Sequence, residues 1–111
     1  MTNLSSLTSE RLRITLAAMQ AIDEKKVLQL DYGGWTRLVE VHAVGVSTAG
    51  NPVLRGWQLT GGSQSGGHAG WKLFDLDKVP ETFKLTDYPS EAPREGFRRG
   101  DNAMLDIFRE V

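Results

Sequence analysis

Near Lys26 the hydrophobic pattern of this chain changes from a helical period to a period of two. From Val27 onward, apolar and polar residues alternate, and many of the apolar ones are β-branched or aromatic, as is typical of strands. Turn sequences interrupt the alternation at Gly33-Gly34, at residues 49–52, along a glycine- and serine-rich stretch and at residues 77–80. The pattern predicts five strands, at about residues 27–32, 36–46, 53–60, 71–76 and 82–86.

An amphipathic helix is predicted ahead of the strands, at residues 9–22. Leu12, Leu16, Met19 and Ile22 or its neighbour recur at helical spacing, and Thr8 or Ser9 can cap the first backbone amides. Because a short helix needs apolar contacts to be stable, we expect this stripe to pack on the strands. Packing on a second copy of the chain is the alternative.

The order of these elements favours a mainly β fold. Five short antiparallel strands behind one helix are typical of a small SH3-like or Sm-like barrel. After Asp87 the sequence becomes polar and proline-bearing, and from Asp101 to Val111 it offers an N-cap and several apolar residues, which favours a C-terminal helix. A chain of 111 residues supports one domain: an N-terminal helix in residues 1–26, a barrel in 27–86 and a tail with a helix in 87–111.

The composition argues against several classes of site. The chain has no cysteine, which leaves no disulfide and no thiolate metal ligand, and no apolar run long enough for a signal peptide or a membrane span. We therefore expect a cytoplasmic protein without membrane contact. The net charge is −1, and basic and acidic residues balance within residues 27–86, so the chain lacks the broad positive surface that duplex DNA requires.

Two tryptophan-bearing segments resemble the core of a WYL domain. The first contains Trp57-Gln58-Leu59, which corresponds to the tripeptide that names the family, although tyrosine is usual where Gln58 stands. In the second, the family usually has a basic residue, a phenylalanine two positions on, and an acidic-basic-aliphatic ending. Lys72, Phe74 and Asp77-Lys78-Val79 fill these positions, while Asp75 stands where a second basic residue is common.

The resemblance extends from about Val27 to Leu85, through the hairpin Leu28–Gly34 and the strand Arg37–His42. It implies a small SH3-like or Sm-like barrel and a surface that senses ligands or nucleic acid. Family members in bacterial transcription factors usually carry a winged helix-turn-helix ahead of this domain. Since only about 26 residues precede Val27, we expect this chain to lack such a DNA-reading module.

Cations and aromatic residues alternate with apolar neighbours in the predicted strands. We expect several of them to converge on one outer barrel face, where a cation binds phosphate and an exposed ring offers stacking. Such a face suits a nucleotide or a single-stranded nucleic acid. The alternative is that the tryptophans fill the core and the cations are solvated. The candidate residues are Arg37, Arg55, Trp57, Gln58, Trp71, Lys72 and Lys78.

The stretch from Gly61 to Gly70 contains the donors Ser63, Gln64 and Ser65. It has neither the lysine nor the strand-loop-helix context of a nucleotide-binding loop. We interpret it as a hairpin connection, with a ligand-contacting lid as the alternative. The three polar residues are included as candidate ligand contacts.

The inventory of catalytic groups is small. His42 and His68 have no recognised metal-ligand spacing, and each is interpreted as a satisfied or solvated histidine. Asp75 and Asp77 lie beside lysines and are interpreted as their charge partners. We therefore predict no catalytic residues, no metal and no cofactor.

The sequence as a whole favours a non-enzymatic module that senses or binds a regulatory ligand, either a nucleotide or a single-stranded nucleic acid. We expect it to self-associate or to bind a partner protein, and not to read duplex DNA alone. The alternative function is a structural module for protein-protein assembly that binds no small ligand.

Overall fold

A computed structural model of the chain describes residues 8–61 and 69–111, which form one helix and six antiparallel strands of a single sheet. A single 3-10 turn, Leu76–Lys78, follows the fourth strand. The elements are α1 (Ser9–Glu24), β1 (Lys26–Tyr32), β2 (Trp35–Ser47), β3 (Pro52–Gly61), β4 (Gly70–Asp75), β5 (Lys84–Pro89) and β6 (Met104–Glu110).

Helix α1 begins where its capping signal predicts and ends at Glu24, two residues beyond the predicted end. The side-chain oxygen of Thr8 accepts a hydrogen bond from the Arg11 amide, and Lys25 ends the helix in a left-handed conformation with a φ of 56°. The helix packs on the sheet as expected, and its buried face contains Met19 and Ile22 of the predicted stripe together with Ile14 and Ala18. Leu16, which the predicted stripe included, is 45% exposed.

All five predicted strands form, each within three residues of its predicted ends. They lie in the order β4-β3-β2-β1-β5. The long strand β2 has β3 along one edge for nearly its whole length, from Arg37 to Val46. Its other edge is shared, because residues 35–39 pair with β1 and residues 43–47 pair with β6.

The predicted C-terminal helix is wrong, because residues 104–110 form strand β6. The second half of β2 has an edge that β1 does not cover, and its backbone groups need hydrogen-bond partners. Pairing with β6 supplies them. Gly45 permits the close approach, since a Cβ atom there would lie 2.2 Å from the carbonyl oxygen of Asp106.

The sheet is buried on both faces. On the inner face, which packs on α1, the core includes Leu28, Val39, Leu54 and Phe74. On the outer face, Ala43, Val53 and Met104 form a second cluster with Phe97 and Ile107 packed against it. The described residues show no ladder between β4 and β5, so the six-stranded sheet is established and the predicted closed barrel is not. Within those residues no helix has the length and apolar character needed to cross a membrane.

Candidate functional site

The sheet divides the predicted site residues between its two faces. Because side chains alternate along a strand, Arg55 and Trp57 of β3 lie on the outer face and Gln58 on the inner face. On β4, Lys72 has the same parity as the buried Phe74 and therefore belongs to the inner face. Lys78 is exposed in the 3-10 turn and joins neither group. The predicted candidates thus do not form one continuous patch.

The inner face holds a buried arginine. Arg37 is only 7% exposed. Its Nη1 donates to Oε1 of Gln58 at 3.2 Å, and its Nη2 donates to the carbonyl oxygen of Tyr32 at 2.9 Å. The guanidinium carbon lies 5.3 Å from the ring centre of Tyr32 and 5.8 Å from that of Phe74. We call Arg37, Gln58 and Tyr32, together with Lys72, which the strand register places on the same face, the inner cluster.

The charge of Arg37 has no carboxylate partner among the described residues, and its Nε has no hydrogen-bond partner. A guanidinium cannot lose its proton in a protein, so burial cannot be relieved by neutralisation. Lys72 adds a second cation on the same face, opposite Gly56 and two residues along from Gln58 in the ladder. Within residues 8–61 and 69–111, Lys72 also forms no ion pair. The inner cluster therefore carries positive charge that the described residues do not balance.

The predicted loop residues Ser63, Gln64 and Ser65 lie outside the described residues. The loop nevertheless starts at the inner cluster, because Gly61, the last residue of β3, is the ladder partner of Arg37. The sheet therefore positions the root of this loop beside the buried guanidinium.

The segment between β5 and β6, residues 90–103, crosses the outer face, and we call it the C-terminal strap. At one end, the Arg94 guanidinium forms an ion pair with Glu40 and lies 5.5 Å from the ring centre of Trp57. At the other end, Asp101 accepts hydrogen bonds from Arg55 at 2.6 and 3.2 Å. These bonds hold the pKa of the Asp101 carboxyl below its usual value.

Trp57 and Trp71 are half-buried beneath the strap, so they are neither core residues nor fully displayed. Their ring centres lie 5.3 Å apart in an edge-to-face arrangement. Phe97 of the strap lies 6.1 Å from Trp71 and 5.1 Å from His42. The aromatic residues of the outer face are thus packed together by the chain's own tail.

His42 is a fully buried, satisfied histidine, as the sequence favoured. Its Nδ1 lies 2.9 Å from the carbonyl oxygen of Glu40, and its Nε2 lies 2.9 Å from the backbone nitrogen of Arg94. The neutral ring with a proton on Nδ1 satisfies both contacts, since Nδ1 then donates and Nε2 accepts. Burial lowers the pKa of His42 and favours this neutral form.

The described residues contain no group of three or more histidine, cysteine, aspartate or glutamate side chains placed to hold a metal ion. Asp77 pairs with Arg11, and the Asp75 side chain accepts a hydrogen bond from the Asp77 amide. The second histidine considered as a ligand, His68, lies outside the described residues.

A groove of about 710 Å³ lies where the strap passes β3 and β4. Its walls include Arg55, Trp71, Phe97, Arg98 and Asp101. Of these, Arg55 and Trp71 were predicted from the sequence as ligand-facing residues.

Comparison of the chain with protein-family models, curated proteins and solved structures found no match.

Sequence reasoning missed the contribution of the strap. One signal for it was present, because Glu40 stands between Val39 and Val41 in residues 38–46 of β2, where His42 is the only other polar side chain. A carboxylate at a buried position requires a cationic partner. The identity of that partner, Arg94, had no local signal, since the two residues are 54 positions apart.

Proposed function

We propose that this protein is a non-enzymatic ligand-binding module of the WYL type, and that it senses a nucleotide or a single-stranded nucleic acid through the inner cluster. The observation that carries the proposal is the buried guanidinium of Arg37, which has an unpartnered Nε and no carboxylate beside it among the described residues.

The buried charge of Arg37 is energetically costly. Moving an ion into a protein interior costs several kcal/mol unless a counter-charge or hydrogen bonds compensate. The Tyr32 ring and Phe74 ring offset part of this cost through cation-π contacts, and two hydrogen bonds offset more. A phosphate would supply the missing negative charge and an acceptor for Nε.

The arrangement around Arg37 suits a phosphate-bearing ligand. Lys72 provides a second cation on the same face, and the connection that contains the candidate contacts Ser63, Gln64 and Ser65 starts beside the cluster at Gly61. A ligand with both phosphate and ring can use the cations for charge-assisted bonds and the half-buried Tyr32 ring for stacking.

The sheet order also supports a barrel as part of the proposal. In the strand order β4-β3-β2-β1-β5, the two end strands are β4 and β5. These are the strands that must pair for an SH3-like or Sm-like barrel to close. We propose that β4 and β5 complete such a barrel and that the protein acts in the cytoplasm.

The test is a thermal-shift screen of mononucleotides and short single-stranded oligonucleotides against the wild type and Arg37→Gln. A ligand that binds only the native state raises the melting temperature by mass action, so we expect a rise for the wild type. Arg37→Gln keeps hydrogen-bond donors but removes the charge, and it is expected to abolish the rise. Arg13→Gln, at an exposed arginine, is the matched control and is expected to retain it.

A screen in which no nucleotide or oligonucleotide raises the melting temperature would contradict ligand sensing. The alternative function, protein-protein assembly without a small ligand, is favoured by exposed apolar side chains. Leu105 of β6 is 67% exposed and Tyr88 of β5 is 61% exposed. Light scattering coupled to size exclusion tests this alternative, which requires a stable oligomer that Leu105→Ser or Tyr88→Ser converts to monomer.

A further inference from the structure

The groove between the strap and the outer face is a second concave site, on the opposite side of the sheet from the inner cluster. Its volume of about 710 Å³ lies within the range of small-molecule pockets. Trp71 and Phe97 form an aromatic wall, with ring planes inclined by 31° to each other. Two tilted rings on one wall offer a surface for a planar group.

The charges around this groove are unequal. Arg55 is neutralised by Asp101, and Arg99 forms an ion pair with Glu110 at 3.2 Å. Arg98, by contrast, lines the groove, is exposed, and has neither a hydrogen bond nor an ion pair in the part of the chain that the structure describes. The guanidinium of Arg98 can therefore bind an anionic group of a ligand in the groove.

Glycines on both sides of the Phe97-Arg98-Arg99 segment shape the groove. Gly96 and Gly100 have φ angles of 93° and 76°, a conformation that other residues rarely adopt. At position 96 a Cβ atom would lie 3.4 Å from Nε1 of Trp71, so the glycine keeps the edge of the indole uncovered. Nε1 has no hydrogen-bond acceptor among the described residues and can donate to a ligand.

We propose that the outer groove binds a small molecule that joins a planar ring to one carboxylate or phosphate group. The ring packs against Trp71 and Phe97, and the anionic group binds Arg98. This site uses no residue of the inner cluster, so it stands independently of the nucleotide-sensing function proposed above.

Phenyl phosphate is the probe, and phenol and inorganic phosphate are its matched halves. The readout is the indole N–H resonance of Trp71 in ¹H–¹⁵N spectra, assigned by its loss in Trp71→Phe. Phenyl phosphate is expected to shift this resonance in a saturable manner. Trp35, which does not line the groove, is the internal control. We expect the dissociation constant of phenol to be at least about tenfold higher than that of phenyl phosphate, because phenol lacks the charge-assisted bond.

Arg98→Gln is expected to reduce the affinity for phenyl phosphate to that for phenol. Since the Arg98 side chain has no partner among the described residues, the variant is expected to fold normally, with the Trp35 resonance unchanged. Arg13→Gln and Arg37→Gln are expected to bind phenyl phosphate as the wild type does.

Three results would overturn the proposal: no saturable shift of Trp71, an unchanged affinity in Arg98→Gln, or loss of binding in Arg37→Gln. The last would locate the anion at the inner cluster instead. Conversely, failure of Arg37→Gln to alter a nucleotide response would count against the nucleotide-sensing proposal and leave the groove untouched.

Discussion

Individual side chains connect distant parts of this chain through buried polar contacts. Glu40, only 1% exposed, receives the Arg94 guanidinium and also a hydrogen bond from the Glu91 amide at 2.6 Å. Two residues further along β2, Nε2 of His42 accepts a hydrogen bond from the Arg94 amide. Both contacts join β2 to the C-terminal strap, so single residues decide whether the strap stays on the outer face.

Two carboxylates bind the same guanidinium from different environments, which allows a matched comparison. Glu40 binds Arg94 from the sheet, whereas Glu91, 77% exposed, binds it from the surface at 3.0 Å. Glu40→Gln is expected to lower the free energy of unfolding by roughly 3 kcal/mol, because it breaks a buried ion pair. Glu91→Gln is expected to lower it by less than about 1 kcal/mol. Urea denaturation measures both, and equal losses would show that the Glu40 pair is energetically a surface pair.

His42 makes stability depend on pH. Burial lowers its pKa in the folded state below the ordinary value of 6.5, so the unfolded chain binds a proton more readily. Its contribution is therefore complete above about pH 6.5 and is lost as the pH falls towards the folded pKa. Protonation would also place N–H at Nε2 against the Arg94 amide.

The measurement is the free energy of unfolding between pH 7.5 and pH 5 for the wild type and His42→Gln. The variant is expected to lose most of the slope in this window. The lowered pKa values of Asp31 and Asp101 act separately, because their contributions are lost only as the pH falls below their ordinary value of 3.8. An identical slope in both proteins would exclude His42 as its source.

Strand β2 organises the other elements. It pairs with β3 along one edge, while β1 and β6 divide the other edge between them. Register shifts between Val41 and Ala43 and between Val44 and Gly45 mark the region where the neighbour changes. The second half of β2 thereby positions both β6 and the strap that precedes it.

Gly45→Ala tests this pairing. The added methyl would lie 2.2 Å from the Asp106 carbonyl, so β6 must move or the ladder must open. We expect a loss of about 1–3 kcal/mol in the free energy of unfolding, as for other overpacking substitutions. Amide hydrogen exchange is expected to accelerate in β6 and to remain unchanged in the β1–β2 hairpin, which serves as the internal control. Unchanged exchange in β6 would contradict the pairing.

The whole molecule covers both faces of its sheet with its own chain. Helix α1 covers the inner face, and the C-terminal strap covers the outer face. The net charge is −1, and the positive groups with no carboxylate partner among the described residues include the buried Arg37 and a few surface side chains. This charge distribution suits a small anion and does not provide an extended positive surface for duplex DNA.

Duplex DNA is therefore expected to bind weakly. Non-specific affinity for DNA comes from many phosphate contacts with lysine and arginine, which a formally neutral sheet does not provide. Fluorescence anisotropy with a random duplex is expected to give a Kd weaker than about 1 µM at physiological salt. Tighter binding that weakens steeply with added salt would contradict this prediction.

Local sequence was sufficient wherever neighbouring residues decide the structure. The alternation from Val27 onward predicted five strands, and Thr8 predicted the start of α1. Hydrophobic periodicity and helix capping depend on residues close together in the chain, so they can be recognised without knowledge of the fold. The alternation also indicated that the candidate site residues lie on two faces of the sheet, because Trp57 and Gln58 are adjacent in a strand and must point to opposite faces.

Tertiary structure decided what depends on distant partners. Residues 104–110 carry an apolar pattern that suits a helix or a strand, and the open edge of β2 selects the strand. Arg94 reaches Glu40 across 54 positions, and Asp101 reaches Arg55 across 46. Such contacts form only after the chain has folded back, when burial makes hydrogen-bond and charge partners obligatory. The sequence alone therefore determined the helix and five of the six strands, and the fold determined the sixth strand and which of the candidate side chains come together.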